Sequence, residues 1–252
     1  MFAKPSSTRL DRFISAHSDI SRRDVRVALA KKRIKVDGVL ARDISQVIGP
    51  FSYVTLDDKI LRNKAPVYIM MNKPKGVVSA TSDDKNKTVL DVLFEQEAES
   101  LDGGPGSLFD KSALNDLHIV GRLDYNSTGL LLITNDGQWS RRLSLPDKKT
   151  EKRYRVTVEL PLTDEYVDAF ASGMYFSYEN ITTRPAVLNI VSSSVAEVTL
   201  IEGRYHQIKR MFGRFQNTVL ELHRISVGDL LLDDSLMHGE SRHLTQGEIH
   251  CF

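Results

Sequence analysis

The chain has 252 residues, 41% of them hydrophobic and 27% charged, with one cysteine and a formal net charge of +1. This is the profile of an ordinary globular protein of one large or two modest domains. The lone Cys251 excludes an internal disulfide and a cysteine-based zinc site, no apolar run approaches the ~18 residues of a membrane span, and the opening MFAKPSSTRLDRF lacks a signal peptide's apolar stretch, so a cytoplasmic protein is expected. The charge is unevenly spread: residues 1–60 carry twelve Lys/Arg against seven Asp/Glu, whereas residues 66–252 carry twenty against twenty-six. A basic end beside a mildly acidic body suggests a polyanion-binding module attached to something else.

Along the first part of the chain, Arg9 to Ala16 and Ser21 to Ala30 have helical spacing. Leu10, Phe13 and Ile14 form one apolar stripe, and Val25, Ala28 and Leu29 another. Ser21 can cap the second helix, with Asp24 three residues on. Arg22, Arg23, Arg26, Lys31, Lys32 and Arg33 crowd this helix and its exit; taken alone, such a cluster reads equally well as a solvated helix face. Ile34–Val36 and Val39–Leu40 flank Asp37-Gly38, a favoured hairpin turn. Asp57 to Ala65 is polar, has no apolar periodicity and precedes Pro66, so it reads as linker. The resulting division is residues 1–60, a linker at 61–65, and 66–252.

The second part opens with an apolar strand, Val67 to Met71, and a Pro/Gly turn, Asn72-Lys73-Pro74-Lys75-Gly76, whose lysines read by themselves as surface groups. Thr88 to Phe94 can begin a helix. Glu95 to Asn115 is acidic and then broken by Gly103-Gly104-Pro105-Gly106, and reads as a surface insertion. Leu130-Leu131-Leu132-Ile133 is too short for a helix and has no polar face, so it is expected to be a buried strand, with Asn135-Asp136-Gly137 turning after it. Before it, Arg122 and Asp124 share a loop against this core strand. That is how a rigid scaffold presents reactive groups, although a loop aspartate in a structural ion pair would look the same. Gln138 to Leu145 and Asp164 to Ser172 read as helices, and Tyr154 to Val158, Thr182 to Ile190, Val195 to Ile201 and Val219 to Leu222 as strands. Tyr154 alone would be assigned to core packing, and Glu202 to Phe212 to the start of a basic amphipathic helix. His206 beside Arg204 and Lys209 invites a general-base reading. No Ser or Cys nucleophile accompanies it, and the seven histidines lack metal-ligand spacing, so it is read as structural or RNA-contacting.

Three stretches together carry a resemblance. Gly121-Arg122-Leu123-Asp124 with Ser127-Thr128-Gly129-Leu130-Leu131 and Thr134-Asn135-Asp136-Gly137, then Lys152-Arg153-Tyr154, then Gly203-Arg204-Tyr205-His206-Gln207-Ile208-Lys209-Arg210-Met211-Phe212, resemble the signature of ribosomal pseudouridine synthases of the RsuA/RluB/RluE/RluF type. The order helix, basic helix, Val36-Asp37-Gly38 over Thr8 to Leu56 resembles an S4-type RNA-binding domain. The resemblance implies an α+β protein: a small N-terminal S4-like α/β module, and a catalytic domain with a largely antiparallel central sheet.

It also implies roles. Asp124 is the catalytic residue, Tyr154 stacks against the flipped uracil, and Lys209 is the base that pairs with the catalytic carboxylate. Many relatives have Arg at that last position; Lys supplies the charge without the planar fork. Arg122 would fill the space the base vacates, and Leu200 would form the apolar floor beneath it. Lys73 and Lys75 would lie near RNA, and Arg9, Arg22, Arg23, Arg26, Lys31, Lys32 and Arg33 would tether it through phosphates. The isomerisation adds and removes no atoms, so no cofactor or metal is expected. Asn135-Asp136-Gly137-Gln138-Trp139-Ser140, Glu151-Lys152 ahead of Tyr154, and Gly203 to Phe212 most resemble small-subunit enzymes, so the expected partner is 16S ribosomal RNA within small-subunit assembly intermediates, met by a monomer free of membranes. Two alternatives are the same chemistry on 23S ribosomal RNA and a non-catalytic ribosome-assembly factor using the S4-type module.

Overall fold

The computed structural model describes residues 7–49, 51–62, 65–100, 116–144 and 150–251. The chain divides into two compact units, Met1–Val67 with Asn135–Gly137, and Tyr68–Thr134 with Gln138–Phe252.

In the first unit, β1 (Thr8–Arg9) leads into α1 (Leu10–His17) and α2 (Arg22–Ala30). Leu10, Phe13, Ile14, Val25 and Ala28 pack into one core with Ile34, Val36, Ile48, Val54 and Leu56, as the apolar stripes require. The Ser21 hydroxyl accepts the Asp24 N–H and caps α2. β2 (Ile34–Val36) and β3 (Val39–Leu40) form the expected hairpin, with Asp37 and Gly38 both at positive φ. β4 (Val47–Ile48) pairs with β1. β5 (Val54–Leu56) joins β2, and β6 (Lys59–Arg62) pairs with β5. The segment read as linker is therefore partly a strand. β6 lies at the sheet edge, with Ile60 exposed and Leu61 packed on the core, so its pairing with β5 rather than a run of buried side chains marks it as a strand.

The second unit is built on a nine-stranded sheet of order β13-β14-β10-β15-β9-β7-β17, with β16 on β15 and β8 on β9. Its strands and helices follow in chain order: β7 (Tyr68–Lys73), α3 (Val89–Ser100), β8 (His118–Val120), β9 (Thr128–Thr134), α4 (Gly137–Ser144), β10 (Lys152–Val158), α5 (Asp164–Ser172), β11 (Tyr175–Phe176), β12 (Ile181–Thr182), β13 (Val187–Ser192), β14 (Val195–Leu200), α6 (Gln207–Gly213), β15 (Val219–Val227), β16 (Leu230–Leu231), β17 (Ser241–His243) and α7 (Gln246–Ile249). Pairing is antiparallel except between β9 and β15, which run parallel for two residue pairs, His223 with Thr128 and Arg224 with Gly129.

Three expectations change here. The acidic stretch expected to be an insertion is helical from Glu95 to Ser100, because Thr88 and Asp91 form reciprocal capping hydrogen bonds that start α3; residues 101–115 lie outside the described set. The strand expected over Thr182 to Ile190 is two strands separated by Pro185, which cannot donate to a ladder. β15 runs five residues further than its apolar start suggested, since its inward positions include the polar Arg224 and Ser226. Trp139 is fully buried on α4, meets Tyr68 edge-on, and donates to the Ile249 carbonyl at 3.1 Å. No described helix is long and apolar enough to cross a membrane.

Gly129 marks where the sheet is tightest. Its φ is +101°, and a Cβ there would lie 2.3 Å from the Arg224 carbonyl oxygen and 2.7 Å from its nitrogen. Both are backbone atoms and cannot swing aside. Gly129→Ala is expected to destabilise the protein by on the order of 3 kcal/mol, read from urea unfolding midpoints. A midpoint equal to wild type would mean the β9–β15 contact is looser than described.

Candidate active site

Between β8 and β9, residues Gly121 to Ser127 form a loop that carries Asp124. It is short, and the carbonyls of Arg122, Leu123, Asp124, Tyr125 and Ser127 all accept hydrogen bonds. Leu123 is buried, and its N–H and carbonyl both bond the Ser79 hydroxyl, at 3.1 and 2.8 Å. The Ser127 N–H closes a turn on the Asp124 carbonyl, and the Gly76 N–H reaches the Tyr125 carbonyl.

Two buried cations complete the set. Lys73, at the end of β7, has no exposed surface; its Nζ donates to the carbonyls of Ser127 and Pro74 at 2.9 Å and of Tyr125 at 3.4 Å. Arg224, in β15, is also buried; its Nε donates to the Leu130 carbonyl at 2.7 Å and Nη1 reaches the Arg122 carbonyl at 3.4 Å. A cation without a carboxylate partner is costly to bury unless its donors are satisfied. Neighbouring carbonyls take up the Lys73 ammonium and the Arg224 Nε and Nη1, while the buried Arg224 Nη2 has no hydrogen-bond partner among the described residues. Burial pushes the Lys73 ammonium down to about 8, and the Asp124 charge pulls it partly back. Lys73 was expected to face RNA. It faces inward instead, because β7 continues through Asn72 and Lys73 and the turn begins only at Pro74. Lys75 is exposed.

The opposite wall comes from Glu202 to Gly213. Gln207 is buried; its side chain donates to Glu202 at 2.6 Å and accepts the Arg204 N–H at 3.1 Å, and Glu202 also holds the Arg204 guanidinium. On α6, Ile208, Met211 and Phe212 are buried on one face, with Phe212 against Tyr166 and Phe170. This turns Lys209 outward, and its Nζ lies 3.2 Å from Asp124 Oδ2. His206 Nε2 lies 3.5 Å from the same oxygen. The histidine sits at φ +50°, just before α6, with its ring stacked on that of Tyr205. Read from sequence as structural or RNA-contacting, His206 is thus a neighbour of the carboxylate, because the left-handed backbone at this residue folds it back toward the loop.

A cleft of about 360 Å³ separates the walls, lined by Arg122, Leu123, Asp124, Ser127, Tyr154, Leu200, Leu222 and the Gly203–Ile208 segment. Asp124 is its one carboxylate among the described residues. The sheet register explains the floor. Tyr154 on β10 and Leu222 on β15 share a face, and Leu200 opposes Lys152, two residues before Tyr154 on that same face. Lys152 is lowered by burial and by nearby Arg224. Arg122, Asp124, Tyr154, Leu200 and Lys209, dispersed over the sequence, are brought together as expected; Arg122 is exposed at the rim. Arg224 and Tyr205 were not singled out. For Arg224 the available signal was Gly129, an isolated glycine opening an apolar strand, which announces a close backbone approach.

In the first unit, Arg22, Arg23, Arg26, Lys31 and Lys32 are exposed. Arg9 donates from Nε and Nη2 to the two carboxylate oxygens of Asp11, and Arg33 pairs with Asp57.

A family model described as RNA pseudouridylate synthase matches residues 67–213. A protein of Pseudomonas aeruginosa named ribosomal small subunit pseudouridine synthase A is 47% identical over 242 residues, 96% of this chain and 98% of the relative. Proteins with the same name from Yersinia pestis and Escherichia coli (strain K12) are 40% and 39% identical over the same length, 96% and 98% of their own chains. A crystal structure titled as a pseudouridylate synthase superposes with a TM-score of 0.65 at 36% identity, covering 96% of this chain and 98% of the other.

The buried cation gives a pH-dependent test. Between about 8 and the ordinary 10.5, folding releases a proton from Lys73, so raising pH through that window favours the folded state; below 8 the full desolvation cost is present. The wild-type unfolding free energy, measured relative to Lys73→Met, is expected to rise from pH 8 to 10.5. Turnover of Lys73→Met should fall by on the order of 10²-fold as the loop relaxes. A pH-independent stability difference would mean Lys73 titrates normally.

Proposed function

The chain belongs to the RNA pseudouridylate synthase family, and from that membership we propose that it isomerises a uridine of 16S ribosomal RNA to pseudouridine with Asp124 as the acting carboxylate. The small-subunit assignment is supported by relatives at 37–47% identity, over 96% of the chain, that carry that name. For Asp124 the supporting observation is its place: the cleft's one carboxylate among the described residues, facing Lys209 at 3.2 Å.

In the reaction the N1–C1′ bond breaks, the C5–C1′ bond forms, a proton leaves C5 and a proton is taken up at N1. The target nucleotide leaves its stack to reach the cleft, at a cost of a few kcal/mol in a duplex. Arg122 fills the vacated place, and the base lies against Tyr154 and Leu200. Asp124 acts on the nucleotide as nucleophile or base, with the Lys209 ammonium at 3.2 Å and the His206 ring at 3.5 Å from its Oδ2. The N-terminal unit serves as an S4-like tether, with Arg22, Arg23, Arg26, Lys31 and Lys32 as its free cations. Arg9 and Arg33 contribute less, since each already has a carboxylate partner.

Pseudouridine mapping by carbodiimide adducts and reverse-transcription stops tests the assignment. Unmodified 16S and 23S transcripts and partly assembled small subunits are each incubated with the protein and with Asp124→Asn. The expected result is one new stop in 16S, reduced by on the order of 10³-fold or more in the variant, which should keep its RNA affinity. A stop confined to 23S overturns the substrate. No stop anywhere, with RNA still bound, moves the reading to an assembly factor. For the tether, replacing Arg22, Arg23 and Arg26 by Gln should raise KM and flatten the slope of log affinity against log salt by about 2; an unchanged slope removes these residues from the RNA surface.

A further inference from the structure

We propose that Tyr205 is a stacking platform for the nucleobase next to the target uridine. The inference rests on the function proposed above and adds a second base-binding position to the cleft.

Three observations carry it. Tyr205 is 76% exposed although it lines the same cleft as Asp124. One face of its ring is covered: it stacks on His206 with ring centroids 3.9 Å apart and planes 18° from parallel. The other has no aromatic or cationic partner among the described residues. An exposed aromatic ring backed by a second ring is a rigid, preorganised surface, and every nucleobase has a π-face to place on it.

The backbone is shaped to make this stack. His206 occupies the left-handed region at φ +50°, uncommon for a residue with a Cβ. The conformation is held from both sides: the Gln207 N–H bonds the Arg204 carbonyl, and the Arg210 N–H bonds the His206 carbonyl. Arg210 is itself fixed by a two-pronged pair with Glu179 and by lying over Phe176 at 3.8 Å. A more ordinary backbone here would carry the rings away from Asp124. Strain maintained by so many contacts at a cleft points to a use for the geometry.

The column also has a direction. It runs from the exposed face of Tyr205, through His206, to Asp124 Oδ2 at 3.5 Å. A single RNA strand whose uridine enters the cleft must turn sharply there, and the adjoining base loses its own stacking partner. Tyr205 replaces that partner at the rim of the cleft, where Arg122 also stands. Base capture on Tyr205 thereby holds His206 against the carboxylate when substrate is present.

The test uses short single-stranded RNAs with a central uridine and 2-aminopurine at its 5′ neighbour in one and its 3′ neighbour in the other. Stacking on tyrosine quenches 2-aminopurine. With the Asp124→Asn protein, one of the two probes should be quenched on binding. The quench should disappear when Tyr205→Leu is added and persist with Tyr205→Phe, which keeps the ring. In the otherwise wild-type protein, Tyr205→Leu should raise KM by about 5- to 150-fold, the range for loss of one stacked base, with a smaller change in kcat. Urea midpoints of the variants should match wild type, since the ring is exposed. Quenching that ignores Tyr205, or a Leu variant with wild-type KM, overturns the platform. Wild-type protein that makes no pseudouridine yet shows Tyr205-dependent quenching would instead sink the proposed function and leave the platform standing.

Discussion

The site depends on how two buried cations spend their hydrogen bonds. Lys73 and Arg224 come from strands on either side of β9, and neither has a carboxylate in contact. Each instead donates to main-chain carbonyls of the segment from Arg122 to Leu130. A tight loop necessarily leaves carbonyls pointing away from any ladder, and burying them unpaired would cost about 1–3 kcal/mol each. The same loop leaves the two cations nothing better to bond. Loop and cations therefore require one another, and the product is an Asp124 whose backbone has little freedom. The neighbouring Gly129 belongs to the same solution, because only a residue without Cβ lets β15 come close enough for Arg224 to reach over.

Against this rigid loop the opposite wall supplies charge. Lys209 and His206 both approach the same oxygen of Asp124, from consecutive turns of one short segment. The floor beneath them is apolar and comes from three strands distant in sequence, through Tyr154, Leu200 and Leu222. A carboxylate beside an ammonium and an imidazole, above an apolar floor, is held in one orientation toward whatever enters the cleft. The shape suits a planar base: an aromatic ring and two leucines on one side, ions on the other.

The N-terminal unit follows a different logic. Its core is small, and its basic residues sit on a helix whose apolar stripe is already used by Val25 and Ala28. Cations with no carboxylate to hold stay solvated and available to phosphates, whereas Arg9 and Arg33 are committed to Asp11 and Asp57. Such surface pairs add little stability, but they do neutralise charge on that surface. In the tether role proposed above, the unit would supply affinity by counterion release, leaving selection of the base to the cleft.

The sequence by itself determined the elements with strong local signals. Apolar stripes placed α1 and α2, Asp37-Gly38 placed the first hairpin, a four-residue apolar run placed β9, and the three motif stretches pointed to one family and to Asp124, Tyr154 and Lys209. Local signals suffice where one segment's own periodicity or turn chemistry decides its state. The edge strand β6 and the polar half of β15 escaped because their pairing is decided by neighbours, not by their own side chains. Tertiary structure alone decided which charges were free. Lys73 looked like a turn lysine and is buried; Arg33 looked like a phosphate ligand and is paired; His206 looked incidental and faces the carboxylate. Whether a charged group meets water, a carbonyl or a counter-ion depends on residues up to a hundred positions away, as the Arg224 to Arg122 contact shows. No single segment contains that information.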